Sequence, residues 1–278
     1  LKIGLKNIFL LIIYKFLKYS RFYYFSMPIR NLSNPYFLNK NPKKLNLDIS
    51  WFRASQEKYI LLMNNINKGL ICWFNNYVKA TKSPPNWYLD PYKNKDFSKY
   101  NRHWSLINEN NVNDLKIIWE NSRWNWSTII ARAWIITGQE QYLDTLNKWI
   151  KDWCNKNPVN YGFNWMCGQE TSIRLINILI TWRIINNKSR EKYCSNLEQF
   201  IISHLERISR TIIYANSQDN NHWISEASAL FIGGLWVEKY GSNSRKGSLY
   251  AKKGRENLEK SVKRLIMNDG SFSQYSTN

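Results

Sequence analysis

A chain of 278 residues with 44% hydrophobic content, 14 Trp, 17 Tyr and 12 Phe can fill one large core and still leave aromatics for a ligand. Only 11 Gly and 7 Pro argue against a sandwich or barrel of short strands and for long helices. The formal charge of +20 points to acidic glycans, nucleic acid or anionic lipid surfaces, although Lys enrichment also follows from an AT-rich genome.

Residues 1–50 form a first region. Its apolar stretch at 8–13 is flanked by Lys2, Lys6, Lys15 and Lys18. It is too short to span a bilayer, which takes about 20 apolar residues. No small-x-small cleavage site separates it from the aromatic run at 22–25. A basic amphipathic helix docked on the main domain is expected, then an extended lead-in broken by Asn34-Pro35 and Asn41-Pro42.

The main domain is expected over 51–278. Ile60, Met63, Ile66, Leu70, Trp73, Phe74 and Tyr77 recur at spacings of three and four, which predicts one helix over 55–78. A long aromatic loop follows from Ser83 to Trp104, either a functional loop or a flap that packs its aromatics on the domain. Further helices are expected from Asn113-Asp114 and over 127–136, 139–153, 170–185, 190–214, 223–240 and 249–267, with stops at Thr137-Gly138, Asn157-Pro158 and Tyr161-Gly162. Long helices with short breaks predict an all-α fold of stacked antiparallel hairpins.

Cys72, Cys154, Cys167 and Cys194 lack C-x-x-C spacing and sit in apolar or aromatic contexts, so buried free thiols are expected. His103, His204 and His222 form no H-x-x-x-H pair, and neither a metal site nor a cofactor is expected. No P-loop or G-x-G-x-x-G appears. Nucleic acid is not an expected partner, because no nucleic-acid motif appears and acidic and basic residues intermix within the helices.

Four clusters can carry chemistry, and each has a plainer structural alternative. Trp119 and Arg123 share a helix face beside Trp124, as a sugar platform or as a cation–π pair. Asn164 and Trp165 precede Glu170 and Arg174, which stand at i, i+4 as a salt bridge or at the rim of a ligand site. Asn221 and His222 open a helix, with Glu226 one turn on. Asn221 is either an N-cap or an amide donor, and His222 either pairs with Glu226 or offers a titratable imidazole. Gln274 and Tyr275 follow the Asp269-Gly270 turn near the last residue.

Taken together, Trp119–Arg123, Thr137-Gly138, Asn164-Trp165 with Glu170 and Arg174, Asn221-His222 through Glu226, and Asp269-Gly270-Ser271-Phe272 with Gln274 and Ser276 resemble the heparinase II/III-like polysaccharide lyases over about residues 51–278. The resemblance implies an incomplete (α/α) toroid, followed in full-length relatives by a β-sandwich. It implies a mostly bacterial, periplasmic or secreted lyase that cuts uronate-containing polysaccharide by β-elimination, with glycosaminoglycan, alginate and bacterial surface polysaccharide all open, and with a cytoplasmic location as the alternative where no clear signal peptide is read. Catalysis then falls on Asn221 and His222, with substrate binding by Trp119, Arg123, Trp124, Asn164, Trp165, Glu170, Arg174, Glu226, Gln274 and Tyr275. The family's tyrosine would come just after Asn278, so this chain by itself is expected to be an inactive fragment. The lyase reading expects the side chains of Asn221, Trp165 and Arg123 to face one groove. A glycoside hydrolase on the same toroid needs two carboxylic acids, for which Glu120, Glu170 and Glu226 are candidates. A non-catalytic polyanion- or glycan-binding module needs neither.

Overall fold

The computed structural model describes residues 4–32, 55–74, 77–108, 114–185 and 195–274. The expected lead-in with its two Asn-Pro steps, Asn113, Cys194 and Tyr275 lie outside these residues.

The N-terminal region supplies α1 (Leu5–Tyr19) and the short α2 (Phe22–Ser26). The single helix expected over 55–78 is corrected: α3 spans Gln56–Asn67 and then gives way to strand β1 (Leu70–Trp73). The break is at Gly69, whose φ of +72° suits glycine and whose missing Cβ would lie 2.3 Å from the Thr81 carbonyl oxygen. β1 pairs antiparallel with β2 (Tyr77–Ala80), burying Ile71 and Trp73 and exposing Cys72. Apolar residues spaced by two and by three or four coincide in this stretch, so the pattern alone does not separate strand from helix.

The aromatic loop packs as a flap. It carries a small hairpin, β3 (Leu89–Asp90) with β4 (Lys95–Asp96), and buries Trp87, Tyr88, Phe97 and Trp104. The Trp87 indole donates to Asp152 at 2.7 Å, which fixes the flap on the helices.

The remaining elements are helices, and the fold is all-α apart from the two small hairpins: α4 (Leu115–Ser122), α5 (Asn125–Thr137), α6 (Gln141–Lys156), α7 (Gly168–Ile185), α8 (Ser195–Gln218), α9 (Asn221–Tyr240) and α10 (Ser244–Leu265). They pack in a regular series. α3 lies on α5, α5 on α7 and α7 on α9, while α6, α8 and α10 each close a hairpin with the helix before them. Asp114 caps α4 through its side chain, and Gly138 ends α5 in the left-handed region. Cys154 is buried as expected, but Cys167 is partly exposed and Cys72 points outward on the β1 alternation.

The α9–α10 hairpin is held at unusually short range. A Cβ on Gly254 would lie 2.2 Å from the Phe231 backbone nitrogen, one on Gly234 2.3 Å from that of Ala251, and one on Gly247 2.2 Å from that of Glu238. One number rises as its partner falls, which is the register of two antiparallel helices in backbone contact. Gly254→Ala is therefore expected to overpack this seam and cost about 1–3 kcal/mol or more, read as a lowered urea midpoint with an unchanged m-value.

Candidate active site

A cleft of roughly 800 Å³ opens between α1, the turn at 104–107, α4, the segment Met166–Gly168, α8 and α9. From α9 come His222 and Glu226, one helical turn apart on a shared face. The start of α9 is set by Asn220, whose side chain accepts from the His222 backbone N–H at 2.9 Å, so the cap is Asn220 and not Asn221. Asp219 precedes it with a positive φ and is gripped by the Arg264 guanidinium and by the Asn7 amide of α1. Tyr14 stacks on Tyr214 of α8 with ring centroids 4.4 Å apart. These contacts dock α1 along the cleft edge, where Tyr14, Lys15 and Lys18 join the lining.

Glu226 sits in the wall with its Oε2 buried and unpartnered. Its carboxyl fits only because residue 168 is glycine: a Cβ there would lie 2.4 Å from Oε1. Burial raises its pKa to about 8, and the nearby Arg207 charge offsets this only in part. At neutral pH it is mostly a carboxylic acid. Burial also lowers the pKa of His222, against a smaller opposing pull from Glu170, so its imidazole is neutral, and Nδ1 is buried without a partner. Cys167, partly exposed as a residue, lines the same wall, and desolvation of its thiol followed by the Glu170 charge raises its pKa to about 12, which disfavours the thiolate.

Arg207 is the cation of the cleft floor. It donates to the carbonyls of Trp165 (2.9 Å) and Met166 (2.6 Å) and lies 3.8 Å above the Trp104 ring. With Glu226 largely neutral, Arg207, Lys15 and Lys18 give the cleft a positive balance that suits an anionic ligand.

The structure separates the residues singled out in the sequence. Trp119, His222 and Glu226 line the cleft together, and the Trp119 indole donates to the Phe163 carbonyl at 2.9 Å, which orients its ring. Arg123 turns away from Trp119 and forms a bidentate pair with Glu170 (2.7 and 2.8 Å) plus a bond to Glu120 (2.7 Å). Burial disfavours the Arg123 charge, but the Glu170 hydrogen bonds and the two carboxylate charges outweigh it and hold its pKa above the usual value. The Glu170–Arg174 salt bridge weighed as the plainer alternative is thus replaced by Glu170–Arg123.

Arg174 is fully buried. It donates to His204 Nε2 (2.9 Å) and to the carbonyls of Ser122 (3.1 Å) and Asn164 (3.0 Å). A guanidinium only donates, so His204 must accept at Nε2 and carry its proton on Nδ1 toward the Phe200 carbonyl. Trp124, Asn164 and Trp165 are 0% exposed, so they back the wall and do not face a ligand. Asn221 and the exposed Gln274 meet through backbone N–H and side-chain oxygen at 3.4 Å. Asn221, Trp165 and Arg123 do not line the cleft as a set, contrary to the expected shared groove.

Tyr14, Lys15, Lys18, Arg207 and Tyr214 were not singled out in the sequence. For Arg207 a signal existed. His204, Arg207 and Thr211 fall at helical spacing among Phe200, Ile201, Leu205 and Ile208, putting polar groups on a core-facing stripe. For α1 the sequence predicted a helix docked on the main domain but not its place beside the cleft, because its partner surface lies on α8, about two hundred residues away. Among the described residues no group of three or more His, Cys, Asp or Glu is placed to hold a metal ion.

The family model described as Heparinase II/III N-terminus matches residues 65–278, and the chain belongs to that family. No curated protein and no solved structure gives a significant match to it.

The raised pKa of Glu226 has a sign that can be tested. Folding favours the protonated acid, so this contribution is full below the unfolded pKa near 4.5 and is lost as pH climbs through about 8. Glu226→Gln is expected to lose stability less steeply than the wild type between about pH 5 and about pH 8 in urea titrations. Parallel profiles would mean that Glu226 is already ionised at neutral pH.

Proposed function

From membership in a polysaccharide-lyase-related family, we propose that the full-length protein cleaves an acidic, uronate-containing polysaccharide by β-elimination. The observation that carries this reading is a positive cleft in which His222 and Glu226 lie one turn apart on one helix face with Arg207 beside them. The C5 proton of a uronate is weakly acidic until its carboxylate is neutralised. Glu226 offers an O–H to that carboxylate, and Arg207 stabilises the enolate-like charge electrostatically. His222 accepts the C5 proton. The C–H electron pair then forms the C4–C5 double bond, the C4–O bond breaks, and the leaving oxygen is protonated, a role the family resemblance gives to a tyrosine. Trp119 offers a ring for sugar stacking, and Lys15 and Lys18 meet further acidic groups along the chain.

Asn221 remains the proposed amide donor, one residue before His222 on the same first turn. The (α/α) toroid and a periplasmic or secreted location belong to the same proposal. The helix series α3, α5, α7 and α9, the last three each backed by the helix that follows, supports the toroid. A hydrolase is the weaker reading: Glu226 is the one acidic side chain lining the cleft among the described residues, while Glu120 and Glu170 are tied to Arg123.

In the full-length gene product, His222→Ala is expected to reduce release of ultraviolet-absorbing unsaturated product by about 10²–10⁴-fold, and Asn221→Ala should also lower it, with folding retained. Full activity in the His222 variant would overturn the assignment. New reducing ends without unsaturation would turn the reading toward hydrolysis.

A further inference from the structure

The outer face of α1, apart from Tyr19 at its C-terminal end, takes no part in lining the cleft, yet it is strongly apolar. Leu5, Ile8, Phe9, Ile12, Phe16 and Tyr19 follow one another at helical spacing, and all are exposed, Phe9 at 62% and Phe16 at 68%. The opposite side of the helix, Asn7 and Tyr14, is the docked one. A helix that buried its apolar side would show the reverse pattern. The surface continues into α2, where Phe22, Tyr24 and Phe25 are also exposed.

The charges around this face have one sign. Lys6 lies on one flank of the apolar stripe, Lys15 and Lys18 lie on the other, and Arg21 sits at the α1–α2 corner. No Asp or Glu precedes Asp48. An apolar stripe bordered on both sides by long cationic side chains matches a helix lying in the plane of an anionic lipid surface, with rings in the acyl boundary and lysines reaching back to the headgroups. At 15 residues α1 is too short to cross a bilayer, and no described helix is long and apolar enough to do so.

We propose that the outward face of α1 and α2 seats the protein on an anionic lipid bilayer. Because Lys15 and Lys18 border both this face and the cleft, the seating sets the cleft mouth at the lipid surface. The inference stands on the exposed face and its charge, independently of the lyase reading.

The test is flotation of the full-length protein with vesicles of phosphatidylcholine alone and of phosphatidylcholine carrying about a quarter phosphatidylglycerol. Binding is expected to the anionic vesicles, weakening between about 0.1 M and about 0.5 M salt. Phe9→Asp with Phe16→Asp should lower the bound fraction by roughly tenfold or more, with circular dichroism and thermal midpoint retained. Lys6→Gln with Arg21→Gln, at two exposed positions outside the cleft lining, should also lower it and serves if the first pair fails to fold. Failure of the wild type to float with anionic vesicles overturns the proposal, and so does undiminished flotation of the folded variants. A wild-type dimer that Phe9→Asp with Phe16→Asp dissociates, without lipid binding, would assign the face to a second copy of the chain.

Discussion

Two guanidinium groups, Arg174 and Arg207, are buried in the centre of this fold with no carboxylate of the described residues in hydrogen-bond contact. Removing a charge from water costs several kcal/mol even after relaxation, so such groups persist only when their donors are fully engaged. Here they are engaged largely by main-chain carbonyls. Arg174 takes the carbonyl of Ser122 at the C-terminal end of α4, where helix carbonyls lack partners and the helix dipole is negative, and that of Asn164 in the turn before α7. Arg207 takes the next two carbonyls along that turn, Trp165 and Met166. Burial lowers both pKa values, that of Arg174 to about 9, yet both remain charged at neutral pH. The turn between α6 and α7 is thereby pinned from two sides, and it carries Cys167 and Gly168 into the cleft wall.

The aromatic residues follow from this arrangement. Arg174 lies 4.5 Å from the Trp153 ring centre and 5.3 Å from that of Trp165, and Arg207 lies over Trp104. Trp124 stacks on Phe200 at 5.0 Å and meets Trp153 edge-on. A ring face is one of few apolar surfaces that stabilises a buried cation, so several tryptophans serve the charges that hold the helices and leave Trp119 to the cleft. The same economy shapes the far wall. Glycine at 168 admits the Glu226 carboxyl, and glycines at 234, 247 and 254 let α10 press α9 into position from behind.

Much of the helical order was legible in the sequence, and the reasons are local. Spacings of three and four marked α5, α6, α7 and α9, and Thr137-Gly138 marked a real stop. The strand at Leu70–Trp73 was hidden because its alternation is compatible with a helical stripe over so few residues. His222, Glu226 and Trp119 were recognisable because polar groups at a helix start and an indole on an exposed face stand out. Trp124 and Trp165 were misplaced because a residue at a helix break has no periodicity to tell which way it faces; tertiary packing decides. The pairing of Arg123 with Glu170 was out of reach for the same reason, since it joins two helices whose order in space the sequence pattern does not give.

The proposed chemistry requires that an acidic sugar meet His222 and Glu226 in the cleft, beside the Arg207 charge. A crystal structure of the full-length protein with an unreacted uronate oligosaccharide tests this most directly. A sugar carboxylate is expected within hydrogen-bond distance of the Glu226 carboxyl, with C5 facing the His222 imidazole and a sugar ring against Trp119. Oligosaccharide bound elsewhere, with the cleft left to solvent, would contradict it.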